Sequence, residues 1–111
     1  MNEFMLYLNN SIETAQKKEQ ELIDTERKDE ANLQKISANI YGICRTVAQV
    51  VAKEKSGEEL WEDYLKRLDN ISKGWVESYE KAKAHQDVEK ILIEETKFQV
   101  LNEVKEKIQK L

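Results

Sequence analysis

The sequence predicts an all-α protein, and three observations carry that expectation. The 111 residues include no proline and only three glycines, so little interrupts long stretches of helix. Ala, Glu, Lys, Leu and Arg make up about half of the chain, the proportion expected of long helices and coiled coils. Finally, a repeat of about 3.5 residues runs from Met5 through Leu8, Ile12, Ala15, Glu19, Leu22, Glu26, Asp29, Leu33, Ile36, Ile40, Ile43 and Val47 to Val50.

The first arm covers residues 2–55. Its register does not slip, which predicts one long helix or two aligned ones. Glu19, Glu26 and Asp29 occupy seam positions, and a carboxylate buried there without a partner is costly. The stretch 16–32 is therefore expected to face water or something outside the chain. The arm ends at Lys53-Glu54-Lys55-Ser56-Gly57. Gly57 suits a left-handed helix stop, and Ser56 with Glu59 has the spacing of a capping box.

The second arm, residues 58–111, resumes with Leu60, Trp61, Tyr64, Leu65, Leu68, Ile71 and Trp75. A second apolar set runs from Val88 to Leu111. Its register drifts across residues 84–87, predicting a break there with Asp87 as cap. The arms are nearly equal, so a fold back at residues 56–57 sets Met5 opposite Ile108, Ile12 opposite Leu101 and Ile40 near Lys73. Two architectures satisfy this single helical domain of residues 1–111. One is a long antiparallel, coiled-coil-like helical hairpin with arms of about 80 Å. The other bends both arms at their polar middles into a four-helix bundle.

Composition narrows the function. The net charge is −4, split −1 over residues 1–55 and −3 over residues 56–111, with both signs interspersed. There is no basic stripe, so no nucleic-acid partner is expected, and no apolar run is long enough for membrane insertion. The N-terminus MNEFMLYLNNSIE lacks a basic region and turns polar by Asn9. That predicts a cytoplasmic protein, or one exported without a cleaved signal peptide.

No chemistry-bearing motif emerges. His85 is the only histidine, and the residue three before it is Ala82, so the Glu-x-x-His pairs of di-iron bundles are absent. Cys44 reads as a small buried hydrophobe. Carboxylate pairs such as Glu58-Glu59 follow from the 22 acids, and no pocket is foreseen to tune them. The expectation is a non-enzymatic protein with no metal, no cofactor and no small-molecule substrate.

The aromatics point elsewhere. Trp61, Tyr64, Trp75 and Tyr79 cluster near the central turn, and Trp and Tyr are enriched at interface hot spots. The Ile91-Leu92-Ile93 and Val100-Leu101 steps make a stripe wider than one seam requires. Trp61, Tyr64, Trp75, Tyr79, Ile93 and Val100 are therefore the candidate partner-binding residues, and Ser56 and Gly57 the turn. The expected partner is a helical protein or a second copy forming a homodimer.

The size, the two arms, the central turn Ser56-Gly57-Glu58-Glu59-Leu60-Trp61 and the pair Gly74-Trp75 resemble the WXG-type small helical hairpins of type VII secretion. They are also similar to the helical companions of LXG toxins in that system. The Trp-x-Gly signature is absent, since each glycine precedes its tryptophan, and Phe98 is followed by Asn102 where the export pattern has an acid. The resemblance implies a secretion companion that pairs side by side with a helical partner. Function is thus expected to be protein–protein interaction, as an adaptor or export/targeting companion. The alternative is a structural coiled-coil stalk or a self-associating subunit.

Overall fold

The computed structural model describes residues 1–111. The chain forms four helices and no strand: α1 (Asn2–Asp24), α2 (Lys28–Glu54), α3 (Gly57–Ala84) and α4 (Val88–Gln109). Of the two architectures, the straight hairpin is corrected and the bent one is found. Each arm reverses at its polar middle, so α1 packs chiefly on α2, and α4 lies against α2 and α3. The molecule is 44 Å in its longest dimension.

Both reversals use the same turn. In the first, Glu26 takes a left-handed φ of 62°, its N–H donates to the Ile23 carbonyl, and the Arg27 N–H reaches back to the Leu22 carbonyl at 2.8 Å. In the second, Gln86 takes φ 54°, its N–H donates to Lys83, and the Asp87 N–H reaches Ala82 at 2.9 Å. These are Schellman bonds, which satisfy carbonyls that a helix end leaves open. The left-handed residue is usually glycine, because a Cβ there clashes with the backbone. Glu26→Gly and Gln86→Gly are therefore each expected to stabilise the fold, by about 1 kcal/mol net of the extra freedom glycine has when unfolded. Urea titration checks this, and a loss of stability in both variants would contradict it.

The central turn differs from expectation. Gly57 is left-handed, with φ 63°, but it opens α3 rather than closing α2. Lys55 and Ser56 are extended, and it is Lys55 that ends α2. Ser56 makes no side-chain cap, because a left-handed residue directly after it breaks the helical path that a capping box needs. Asp87 does cap α4, accepting from the Lys90 N–H at 3.2 Å.

The core gathers where the N-terminal halves of α1 and α3 meet the C-terminal halves of α2 and α4. Phe4, Leu8 and Ile12 pack with Ile40, Tyr41, Cys44, Ala48 and Val51, then with Leu60, Tyr64 and Leu68, then with Val100, Leu101 and Val104. Residues 16–30 stay outside it and are almost all exposed, as their seam acids imply. In α2 the buried face sits one residue later than the heptad reading. Cys44 and Val51 are inside, while Ile43 and Val50 face solvent. The reason is that α2 packs against three helices rather than one, which recentres its apolar face.

The two halves repeat one another at a spacing of sixty residues. Gln86 follows Glu26 by that interval. So do the buried pairs Phe4 and Tyr64, Leu8 and Leu68, Ile40 and Val100, Tyr41 and Leu101, and Cys44 and Val104. Arg45 Nη1 donates to Asn9 Oδ1 at 2.9 Å, and Lys105 Nζ pairs with Asp69 in the same places of the second half. Phe4 and Tyr64 meet edge-on, ring centroids 5.6 Å apart. Equivalent residues touching is what joins the subunits of a symmetric dimer, here within one chain. The halves differ in spread. Ala15 and Ala38 let α1 approach α2 closely, whereas Trp75 and Phe98 at the equivalent places hold α3 and α4 further apart.

Candidate partner-binding surfaces

The expected site residues turn out to serve mostly the chain's own packing. Tyr64 is fully buried, and its hydroxyl donates to the Cys44 carbonyl at 2.8 Å. Burial holds that hydroxyl's pKa well above the usual tyrosine value. Val100 is likewise in the core. For these two residues the partner-binding expectation is corrected, because a tyrosine or valine on the inward face of a bundle has no surface left to offer. Trp61 is half-buried against Phe4, with centroids 5.4 Å apart. Trp75 and Tyr79 both meet Phe98 edge-on, at 6.0 and 6.1 Å. Lys97 lies over Trp75 and Lys83 over Tyr79. Ile93 is half-buried. Trp61, Trp75, Tyr79 and Ile93 thus keep only edges toward solvent, and the structure does not gather the six into one patch. Ser56 and Gly57 lie exposed at the central turn.

A groove of about 700 Å³ runs between α1 and α4, floored by α2. At one end Tyr41 donates to Glu103 Oε2 at 2.7 Å, and Lys107 sits over the Tyr7 ring. Desolvation first, and Glu103 second, raise the pKa values of both Tyr41 and Tyr7. The remaining lining is largely amide and hydroxyl, including Asn10, Thr14, Gln34, Ser37, Thr96 and Gln99. The cluster ties three helices together. No group of three or more His, Cys, Asp or Glu side chains converges as metal ligands, and His85 is exposed in the α3–α4 turn.

The outer face of the first hairpin has a different character. Between residues 36 and 52 the exposed positions of α2 are Asn39, Ile43, Thr46, Gln49, Val50 and Ala52. None is charged, in a chain of which 36% is charged. Ile43 and Val50 are 39% and 42% exposed. The sixty-residue repeat supplies a comparison inside the same molecule. Gln99, Glu103, Glu106 and Gln109 occupy the equivalent positions of α4, Lys110 the one just past its end, and all are exposed. Ile43 thus stands where the second half has Glu103, Thr46 where it has Glu106, and Val50 where it has Lys110. On α1, Asn2 and Asn9 stand where α3 has Glu62 and Asp69. A shallow hollow beside this face is lined by Ile12, Gln16, Gly42 and Thr46, with Arg45 its only charged residue. Sequence reasoning missed the face because the heptad placed Ile43 and Val50 in the seam. The signal that could have found it is the sixty-residue repeat.

One buried polar atom lacks a partner. Glu94 lies on the inward side of α4, its Oε1 paired with Lys97 at 3.1 Å and its Oε2 unbonded. A buried acceptor without a donor costs about 1–3 kcal/mol. Glu94→Met is expected to raise stability by about 1 kcal/mol in a urea titration, and a comparable loss would mean that this oxygen is satisfied in solution.

No protein-family model, curated protein or solved structure matches the chain. No helix is long and apolar enough to cross a membrane.

Proposed function

We propose that the protein is a non-enzymatic helix-binding module whose working surface is the uncharged outer face of the α1–α2 hairpin. One observation carries this reading: Ile43, Thr46 and Val50 are exposed, as Glu103, Glu106 and Lys110 are at the equivalent positions, yet lack the charge that a solvated helix face carries. An amphipathic helix laid along α2 would bury Ile43 and Val50, with Gly42 and Thr46 allowing close approach. The exposed Lys53 at its margin would set register. The resemblance to type VII secretion companions suggests one setting for such a face, an export companion for a helical cargo. A stalk draws no support from a molecule 44 Å long.

A displayed library of amphipathic helices, selected on the full chain, tests the reading. The selected binders are expected to lose affinity at least about tenfold, or 1.4 kcal/mol, on Val50→Lys and to keep it on Lys110→Glu. Binders indifferent to Val50→Lys would overturn it.

A further inference from the structure

We infer that the occupant of the uncharged α1–α2 face is a second copy of this chain, paired through antiparallel α2 helices centred on Thr46. The inference rests on the helix-binding reading above and names its partner.

Self-pairing requires a face that is complementary to itself. Centred on Thr46, an antiparallel α2 pair sets Ile43 of one copy near Val50 of the other, so that aliphatic meets aliphatic. No exposed residue between positions 36 and 52 carries a charge, so the α2 pair itself brings no like charges into opposition along that stretch, even though each chain has a net charge of −4. Arg45, the one charged side chain in the adjoining hollow, is turned toward α1 and held by Asn9. The equivalent face of the second hairpin is not neutral in the same way: in that register Glu106, at its centre, would meet its own copy, and like charges across an interface are repulsive. A foreign charged helix, in turn, finds no row of opposite charges on the first hairpin to select it. Gly42 has no neighbouring atom within 4 Å of where a Cβ would stand, which leaves room for the facing helix.

The available area bounds the strength. The stretch of α2 from Asn39 to Ala52 is about 20 Å long, and with α1 beside it the face is about 20 Å wide. Pairing two such faces buries on the order of 800 Å², short of the roughly 1,000 Å² that a stable interface clears. The dimer is therefore expected to be reversible, with a dissociation constant in the micromolar range or weaker.

Sedimentation equilibrium of the full chain, from about 1 to about 500 μM to bracket that range, tests the pairing together with spin labelling. The expected result is a monomer–dimer equilibrium whose association constant falls at least about tenfold on Val50→Lys and is unchanged on Val76→Lys, another exposed valine. A nitroxide on Thr46→Cys is expected to show dipolar broadening between copies, and one on Glu106→Cys is not. Cys44 is buried and does not compete for the label. A dimer indifferent to Val50→Lys, or broadened equally at both labels, overturns the pairing. A monomer at every concentration whose selected helix binders are still lost on Val50→Lys also overturns the second copy, while the helix-binding reading stands. A monomer without that loss overturns both.

Discussion

Replacing Phe4 with alanine is expected to cost about 3–5 kcal/mol, the range for deleting a buried aromatic ring. Phe4 is fully buried; it stacks on Tyr7 and meets Trp61 and Tyr64 edge-on, at centroid distances of 6.0, 5.4 and 5.6 Å. It is also where the two hairpins meet through equivalent residues, so its loss loosens both halves at once. A domain of this size holds about 5–15 kcal/mol in total, and the variant is therefore expected to be partly unfolded or molten at ordinary temperature. Leu6→Ala, two residues away, removes a side chain that is 59% exposed and is expected to change stability by less than about 0.5 kcal/mol. Denaturant titration of the two variants separates them. Equal and small effects would contradict the placement of the core at the N-terminal half of α1.

Raising the pH above 9 is the second change with a large expected effect. Burial pushes the Cys44 thiol from its ordinary 9.0 up to about 12, and the Tyr64 and Tyr41 hydroxyls are raised in the same direction, again chiefly by desolvation. These groups are neutral when protonated, so a raised folded pKa means that the folded state holds its proton more tightly. Below pH 9 both states keep the thiol proton and the stability is fully present. Between pH 9 and 12 the unfolded chain releases the proton first and the fold is progressively destabilised, by up to about 4 kcal/mol for the thiol alone. The tyrosines add to the loss from about pH 10 upward. Urea midpoints measured from pH 8 to 12 are expected to fall steeply, and Cys44→Ala is expected to flatten the decline that begins at pH 9. A midpoint unchanged up to pH 11 would contradict the burial of these groups.

Much of the fold was legible in the residues because helix formation here is local. The absence of proline, the composition and the apolar spacing predicted helices throughout. The drift at residues 84–87 marked the α3–α4 turn, and the seam acids Glu26 and Asp29 marked the polar stretch where α1 gives way to α2. The bend itself was hidden by phase. A three-residue turn at Thr25–Arg27 interrupts the first arm without disturbing the spacing on either side, so the heptad reads straight through a reversal of direction. The heptad also places each seam residue against one partner helix, whereas α2 has three, and this is why Ile43 and Val50 were assigned inward when they point outward. The repeat was obscured for a different reason. Core packing requires hydrophobic bulk rather than identity. A shift of sixty residues therefore aligns Phe4 with Tyr64, Ile40 with Val100 and Cys44 with Val104, while retaining few identities such as Leu8 with Leu68 and Asn10 with Asn70. Folding the arms back as mirror images, Met5 toward Ile108, compared the halves in the wrong direction.

The aromatic cluster shows the limit of reading function from residue type. Trp61, Tyr64, Trp75 and Tyr79 are the residues most often found at hot spots, and here their rings chiefly hold one hairpin against the other and α3 against α4. The surface that distinguishes the two halves consists of commonplace side chains (two aliphatics, a threonine and amides) and is conspicuous only beside the acids and lysine of its counterpart.

On the proposed function, the first hairpin carries a binding face and the second does not. Site-specific photo-crosslinking in the protein's own cells tests it most directly, with a photoreactive residue placed at Thr46 in one variant and at its repeat equivalent Glu106 in another. The expected result is a discrete crosslinked product from position 46, of twice the chain mass where the occupant is a second copy, and none from position 106. Equal labelling at the two positions, or a discrete product from position 106 alone, would contradict the claim.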